Sequence, residues 1–335
     1  MTVPQQRMVQ IGNESLWNTP VTPTVQLAGI TEISVPPSVQ IEMQRHYRGV
    51  VSPGRDAIIV AHRAENVRMA GRFIFEQAMY WLDGADVATP GGLGPYVYPY
   101  NGWTGTPATP RKQTLVFGAG DGVWSLSSMA LSGFTLSWQW GQPVNVAWDL
   151  MGASIAPDAF GELTEPSDAS TTEALGAHVT VAVDAFAGTI GATPAAKCLS
   201  GEVRVQLNRA FLPYVGSLYP SGVFDRDAWS VSGRITLVQD ATSAAAVNAA
   251  IGEVTKRLLR ISISNEGLTT ALRSYVMDIP AMLRIEELVT DSDDMVTSDL
   301  TFEAIEEGDL SYDGDGEVDG YFASALTNNT ATAYA

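Results

Sequence analysis

The chain has 335 residues, 45% of them apolar and 17% charged, and a formal net charge of −18 at pH 7. A mean hydropathy of +0.05 excludes a disordered polymer, and no run approaches the ~18–20 consecutive apolar residues of a membrane-spanning helix. So acidic a chain repels nucleic acid, whose phosphates are bound through Lys and Arg, and its one cysteine, Cys198, excludes a disulfide framework.

Residues 1–35 carry Pro4, Gly12, Pro20, Pro23 and Gly29 between short apolar runs and read as an extended N-terminal arm, with no signal peptide. "VQIEMQRHYRGVVSP" (39–53) is an alternating strand that ends in a basic-aromatic corner. Arg45, His46, Tyr47, Arg48, Arg55 and Arg63 crowd this region, with Arg68 and Arg72 close behind. On an acidic protein the cluster reads as an intersubunit interface, a basic loop meeting the acidic half of a neighbour. "GRFIFEQAMYWLDGA" (71–85) predicts a strand that passes into a helix, and "QTLVFGAGDG" (113–122) another strand.

The clearest element is "ALSGFTLSWQWGQPVNVAWDL" (130–150). Phe134, Leu136, Trp138 and Trp140 fall on one face, with Thr135, Ser137 and Gln139 on the other. After Gly141-Gln142-Pro143 the alternation resumes with Val144, Val146, Trp148 and Leu150. Period-two alternation around a Gly/Pro break predicts a β-hairpin with one buried face. Its predicted core is Phe134, Leu136, Trp138, Trp140 and Trp148.

"GELTEPSDASTTEALGA" (161–177) reads as a linker or surface loop. The later segments 203–220, 233–252, 257–267 and 296–300 then repeat the earlier ones in order. A strand ends in a basic-aromatic corner with Gly and Pro, a Gly-Arg strand passes into a helix, a strand follows, and Val-x-x-Asp-Leu closes the unit. The ordered set predicts an internal duplication. Charge is unequal between the copies: residues 1–120 hold nine Lys/Arg against eight Asp/Glu, and residues 121–335 ten against twenty-nine. In "DLSYDGDGEVDG" (309–320), Asp313, Asp315, Glu317 and Asp319 form a weak candidate for Ca²⁺. The glutamate register of an EF-hand loop is absent, so a solvated acidic loop is the better reading. "YFASALTNNTATAYA" (321–335) reads as a second, shorter arm.

No HExxH, CxxC, GxGxxG, Walker or GxSxG pattern occurs, and His46, His62 and His178 show no ligand spacing. Neither a catalytic set nor a cofactor or metal site is expected, and Cys198 reads as a buried, inert thiol of a protein folded in a reducing cytoplasm.

The ordered whole resembles the tail tube proteins of long-tailed bacteriophages. The stretches that carry the resemblance are 11–42, 46–102 with its Tyr80-Trp81-Leu82-Asp83-Gly84, "WSVSGRITLVQDATSAAAVNAAIG" and "LLRISISNEG". It covers most of residues 10–310. It implies a mainly β fold of two tandem tube-like sandwich or barrel domains, each with a short flanking helix, plus terminal arms. The expected boundaries are 1–35 (arm), 36–160 (first domain), 161–197 (linker), 198–310 (second domain) and 311–335 (C-terminal tail).

The resemblance also implies a structural virion protein, assembled in the host cytoplasm, whose rings stack into a hollow tube. Expected partners are copies of itself, adjacent rings, and tail proteins such as the tape measure and terminator. DNA passes through without specific binding, and no membrane is engaged. A duplicated chain favours three copies per ring with pseudo-sixfold symmetry over six. The alternatives are a tail terminator or baseplate hub, and a capsid-decorating β protein.

Overall fold

A computed structural model describes residues 8–36, 39–46, 54–62, 64–82, 96–101, 111–119, 122–163, 172–186, 189–193, 196–213, 215, 217, 219–240, 243–244, 247, 255–265, 273–292, 295–305 and 322–328. The strands of the first half are β1 (Met8–Glu14), β2 (Val25–Leu27), β3 (Ile30–Ser34), β4 (Val39–His46), β5 (Gly54–His62), β6 (Ala64–Arg72), β7 (Tyr96–Asn101), β8 (Lys112–Ala119), β9 (Gly122–Gln139), β10 (Asn145–Gly152) and β11 (Ser154–Pro157). One helix, α1 (Phe75–Leu82), follows β6. The second half holds β12 (Val179–Ala185), β13 (Cys198–Gln206), β14 (Arg209–Leu212), β15 (Gly222–Asp225), β16 (Ser230–Val238), β17 (Thr255–Ser264), β18 (Ser274–Ser292), β19 (Met295–Ala304) and β20 (Ala323–Asn328).

The protein is mainly β, and sixteen of these strands form one large antiparallel sheet. Its main path runs β12-β17-β18-β19-β16-β13-β9-β10-β6-β3. The hairpins β4–β5 and β14–β15 stand apart as two-stranded pieces. Strand pairing follows one order twice. In the first half β1 pairs β8, β8 pairs β9, β9 pairs β10, β10 pairs β6, and β6 pairs β3. In the second half β12 pairs β17, and β18, β19, β16 and β13 follow in the same sequence.

Even a bulge recurs. The β10–β9 ladder slips between Asp149 and Leu150, and the β19–β18 ladder slips where Asp299 and Leu300 face Glu287 and Ile285. A bulge is a specific local feature, so its placement puts Val-x-x-Asp-Leu of 146–150 and 296–300 on equivalent rungs. The Gly-Arg match does not hold at that level. Gly71 faces Val146, whereas Gly233 faces Phe302. The place equivalent to Gly71 is taken by Gln239, whose N–H donates to Val296 O at 2.8 Å.

The three segments expected as arm, linker and tail contain paired strands. The N-terminal arm is paired strand: β1 lies along β8 from Met8↔Gly118 to Glu14↔Lys112, and Val9 and Ile11 are buried. Its Gly and Pro residues punctuate short strands rather than loosen the segment. The 161–197 linker contains β12, which pairs β17 over seven rungs. In the C-terminal tail, β20 runs between β18 and β7, with Phe322, Leu326 and Asn328 buried. The helix expected within 233–252 lies mostly outside the described residues; Ser243, Ala244 and Val247 are helical there.

One apolar cluster runs through both halves, from Val9 and Ile11 through Trp138 and Trp148 to Ile261, Met277 and Leu326. Phe73 joins the halves through Tyr275, with ring centroids 5.4 Å apart. A sheet with helix and loops over one face can bury that face and leave the other wet.

Candidate functional site

β9 and β10 form the hairpin that the alternation predicts. Trp148 faces Phe134, Val146 faces Leu136, and Asn145 faces Ser137. Phe134, Leu136, Trp138, Val146 and Trp148 are buried, worth roughly 1.5–3 kcal/mol for each large side chain. Trp148 stacks on Trp81 of α1 with centroids 4.6 Å apart, so the helix caps the hairpin's apolar face. Trp140 is the correction: it is 66% exposed. β9 ends at Gln139, and Gln142 N–H closes the turn on Gln139 O at 3.1 Å. Alternation specifies a face only while the chain stays extended, and Trp140 already belongs to the turn.

At the seam between the halves, Trp138 faces Gly201 across the β9–β13 ladder. A Cβ on Gly201 would sit 2.4 Å from Trp138 Cζ2, so the indole occupies the space that the glycine leaves. The same indole donates Nε1–H to Cys198 Sγ at 3.4 Å. Burial pushes the Cys198 thiol up to about 11, against smaller opposing effects of the Trp138 and Ser200 hydrogen bonds. A neutral thiol is a poor nucleophile.

The opposite face is concave and carries charged side chains, with Trp138, Met282 and Phe302 also at the floor of its larger furrow. A furrow of about 870 Å³ runs over β9, β13, β16, β19 and β18, lined by Ser200, Glu202, Arg204, Arg234, Arg284 and Glu303 among others. A second hollow of about 440 Å³ continues over β3, β6, β10 and β9, lined by Arg68, Thr135, Ser137, Asn145 and Asp149. Glu202 and Arg204 line both. The polar side of the hairpin is therefore one part of a surface that crosses both halves. Its charges alternate in sign. Arg234 is ion-paired with Asp299 and lies 3.4 Å from Glu286, and Thr236 donates to Asp299 at 2.6 Å.

Of the residues expected at an interface, Arg45, His46 and Arg55 lie on β4 and β5, where Arg45 faces Arg55 and His46 faces Gly54. Tyr47, Arg48 and Arg63 lie outside the described residues, as do Asp313, Asp315, Glu317 and Asp319. Among the described residues no group of three His, Cys, Asp or Glu side chains could hold a metal ion, and no helix is long and apolar enough to cross a membrane.

Sequence reading missed two cross-strand ion pairs, of which Arg209–Asp225 is buried. In the second half Arg209 faces Asp225, binds it at 2.9 Å, and donates Nη1–H to Leu131 O at 2.8 Å. Arg260 and Asp278, cross-strand partners on β17 and β18, form two bonds of 2.7 Å. Such pairs depend on which rungs meet, which the spacing of charges along one strand does not reveal.

Residues 5–304 match the family model described as phage tail tube protein. No curated protein matches the chain. With most of its length covered, the chain belongs to the phage tail tube protein family, a structural family of the phage tail.

Proposed function

From that membership, we propose that the protein polymerises as stacked rings into a hollow tube and that DNA passes through its lumen into the host. The observation that carries this reading is the continuous polar face, which runs from β3 to β18 over an unbroken antiparallel sheet. A tube needs such a wall, wet on one side and apolar on the other. The repeated pairing order supports reading the halves as two tube-like units, each a wall-former, so three chains supply six units to a ring.

The lumen need not be uniformly acidic. Arg234 has carboxylates beside it, and an arginine held by carboxylates is a weaker phosphate ligand than a solitary one. The basic cluster from Arg45 to Arg63 then faces a neighbouring chain rather than DNA. Assembly takes place in the host cytoplasm, and the tape measure and terminator are the further partners.

Negative-stain images of the purified protein test this. Hollow tubes whose end-on averages show six lobes from three chains are expected. Discrete single rings that never stack would favour the tail terminator reading instead.

A further inference from the structure

β9 changes its neighbours part-way along its length. Its first part pairs β8 on one side and β11 on the other, over residues 122–129 and 124–127. Its second part pairs β13 and β10, over residues 133–139 and 130–137. The change falls at a bulge. Gln113 faces Met129 and Leu115 faces Leu126, so Ser127 and Ser128 stand opposite Thr114 alone. Ser128 has a φ of +50°, a left-handed conformation that a non-glycine residue keeps only where its surroundings impose it.

Glu14, the last residue of β1 and buried, imposes it. Its carboxylate accepts Ser128 N–H at 2.8 Å, Ser128 Oγ–H at 2.6 Å and Thr114 Oγ–H at 2.6 Å. Both hydroxyls also accept a backbone N–H, Ser128 from Asn18 and Thr114 from Val21. A hydroxyl has one hydrogen to donate, so each is committed to the carboxylate. Moving the bulge would break these bonds where water does not replace them, which is costly. β10 and β11 follow β9 round the bend through Gly152, where a Cβ would lie 2.6 Å from Leu126 Cδ1 and 3.1 Å from Ser127 O.

Among the described residues the second half has no counterpart. Its β17–β18 ladder runs from Thr255↔Leu283 to Ser264↔Ser274 without a shift of register. The shared pairing order therefore does not require the bulge; Glu14 and Ser128 add it to the first half.

We infer that Glu14 is a positioning residue of the wall. By holding the bulge it sets the angle at which the β9–β10 hairpin leaves β1 and β8, and through that angle the twist and diameter of the tube. This rests on the ring reading above, and a distance within one chain tests it separately. The lever is long: at about 3.3 Å of rise per residue, a tilt of about 10° at Ser128 would move Trp140 by about 7 Å.

Spin labels at Trp124→Cys and Trp140→Cys, exposed positions on either side of the bulge, read the angle in a full chain that also carries Cys198→Ser. Pulsed electron resonance measures their separation. Glu14→Ala removes the acceptor. Ser128→Gly keeps the left-handed backbone without strain and removes the hydroxyl. Each is expected to shift or broaden the distance. Glu14→Gln retains an acceptor for Ser128 N–H and should keep the parent distance. Ile11→Val, a small change in the buried side of the same strand, should keep it too. In cryo-EM of assembled tubes the two loosened variants should alter twist or diameter, or leave folded chains that do not stack, while Glu14→Gln matches the parent. An unchanged distance in both loosened variants, or tubes of parental twist and diameter from them, would overturn the positioning role. If Glu14→Ala does not fold, Ser128→Gly decides alone. A shifted distance in a chain whose parent forms no tubes would uphold the bend-setting role and count against the ring reading instead.

Discussion

Glu76, in the first turn of α1, is ion-paired with Arg273, 197 residues further along the chain, and both side chains are nearly buried. The other carboxylate oxygen accepts Thr172 N–H at 2.7 Å. One side chain of the first half thus ties together the segment leading to β12 and the start of β18.

Glu76→Gln is expected to destabilise the fold by about 3–5 kcal/mol, because it removes the carboxylate from beside a charged, largely buried arginine. Glu76→Gln with Arg273→Met should cost less than the sum of the single changes. Urea unfolding of all four members of the cycle measures the coupling, and additive costs would show that the pair is not a lock.

Trp148→Ala and Trp140→Ala should separate cleanly. Trp148 is buried and stacked on Trp81, so truncation should cost about 3–5 kcal/mol. Trp140 is exposed, and its removal should change stability by no more than ~0.5 kcal/mol. Thermal unfolding distinguishes them; equal losses would return Trp140 to the core.

Ile11→Ala tests whether the N-terminal segment is arm or core. Ile11 is fully buried and faces Leu115, so a loss of about 2–5 kcal/mol is expected. A variant as stable as the parent, by chemical denaturation, would support a dispensable arm. Deletion of residues 1–35 is accordingly expected to give misfolded or insoluble protein, not a folded chain that fails to stack.

Cys198, half-buried, should react more slowly with thiol reagents at pH 8 in the folded protein than in urea. Its thiol pKa rises from 9.0 to about 11 on folding, chiefly through burial. The sign follows: the neutral thiol contributes its full stability below pH 9.0, and that contribution falls as pH climbs from 9.0 to about 11. Cys198→Ser should flatten this part of the stability–pH curve. An unchanged slope would assign the alkaline loss to other groups.

How much could be read in advance depended on the range of the signal. The 130–150 hairpin was legible because alternation is local and its two strands adjoin; only Trp140, where extension gives way to a turn, was misplaced. The order of the similar segments matches a strand-pairing order that recurs, although Gly71 and Gly233 fall on different rungs. Strands β1, β12 and β20 were not. Each is short, lies among Gly, Pro or Thr, and becomes strand through partners far away in sequence: β8, β17, and the pair β18 and β7. Glu76–Arg273 was hidden for the same reason, and Arg209–Asp225 because it depends on which rungs of β14 and β15 meet. The mixed charge of the furrow was hidden as well, since a net charge says nothing about which face carries each sign.

The position of β20 sets an order of events during synthesis. β7, complete at Asn101, has its only described ladder with β20, whose first residue is Ala323. A ribosome must add more than two hundred residues before that ladder can form, and closing so long a loop is slow. Until then β7, with Tyr98 and Tyr100 that are buried in the finished protein, lacks that ladder. A chain interrupted before Ala323 therefore leaves β7 without its one described ladder.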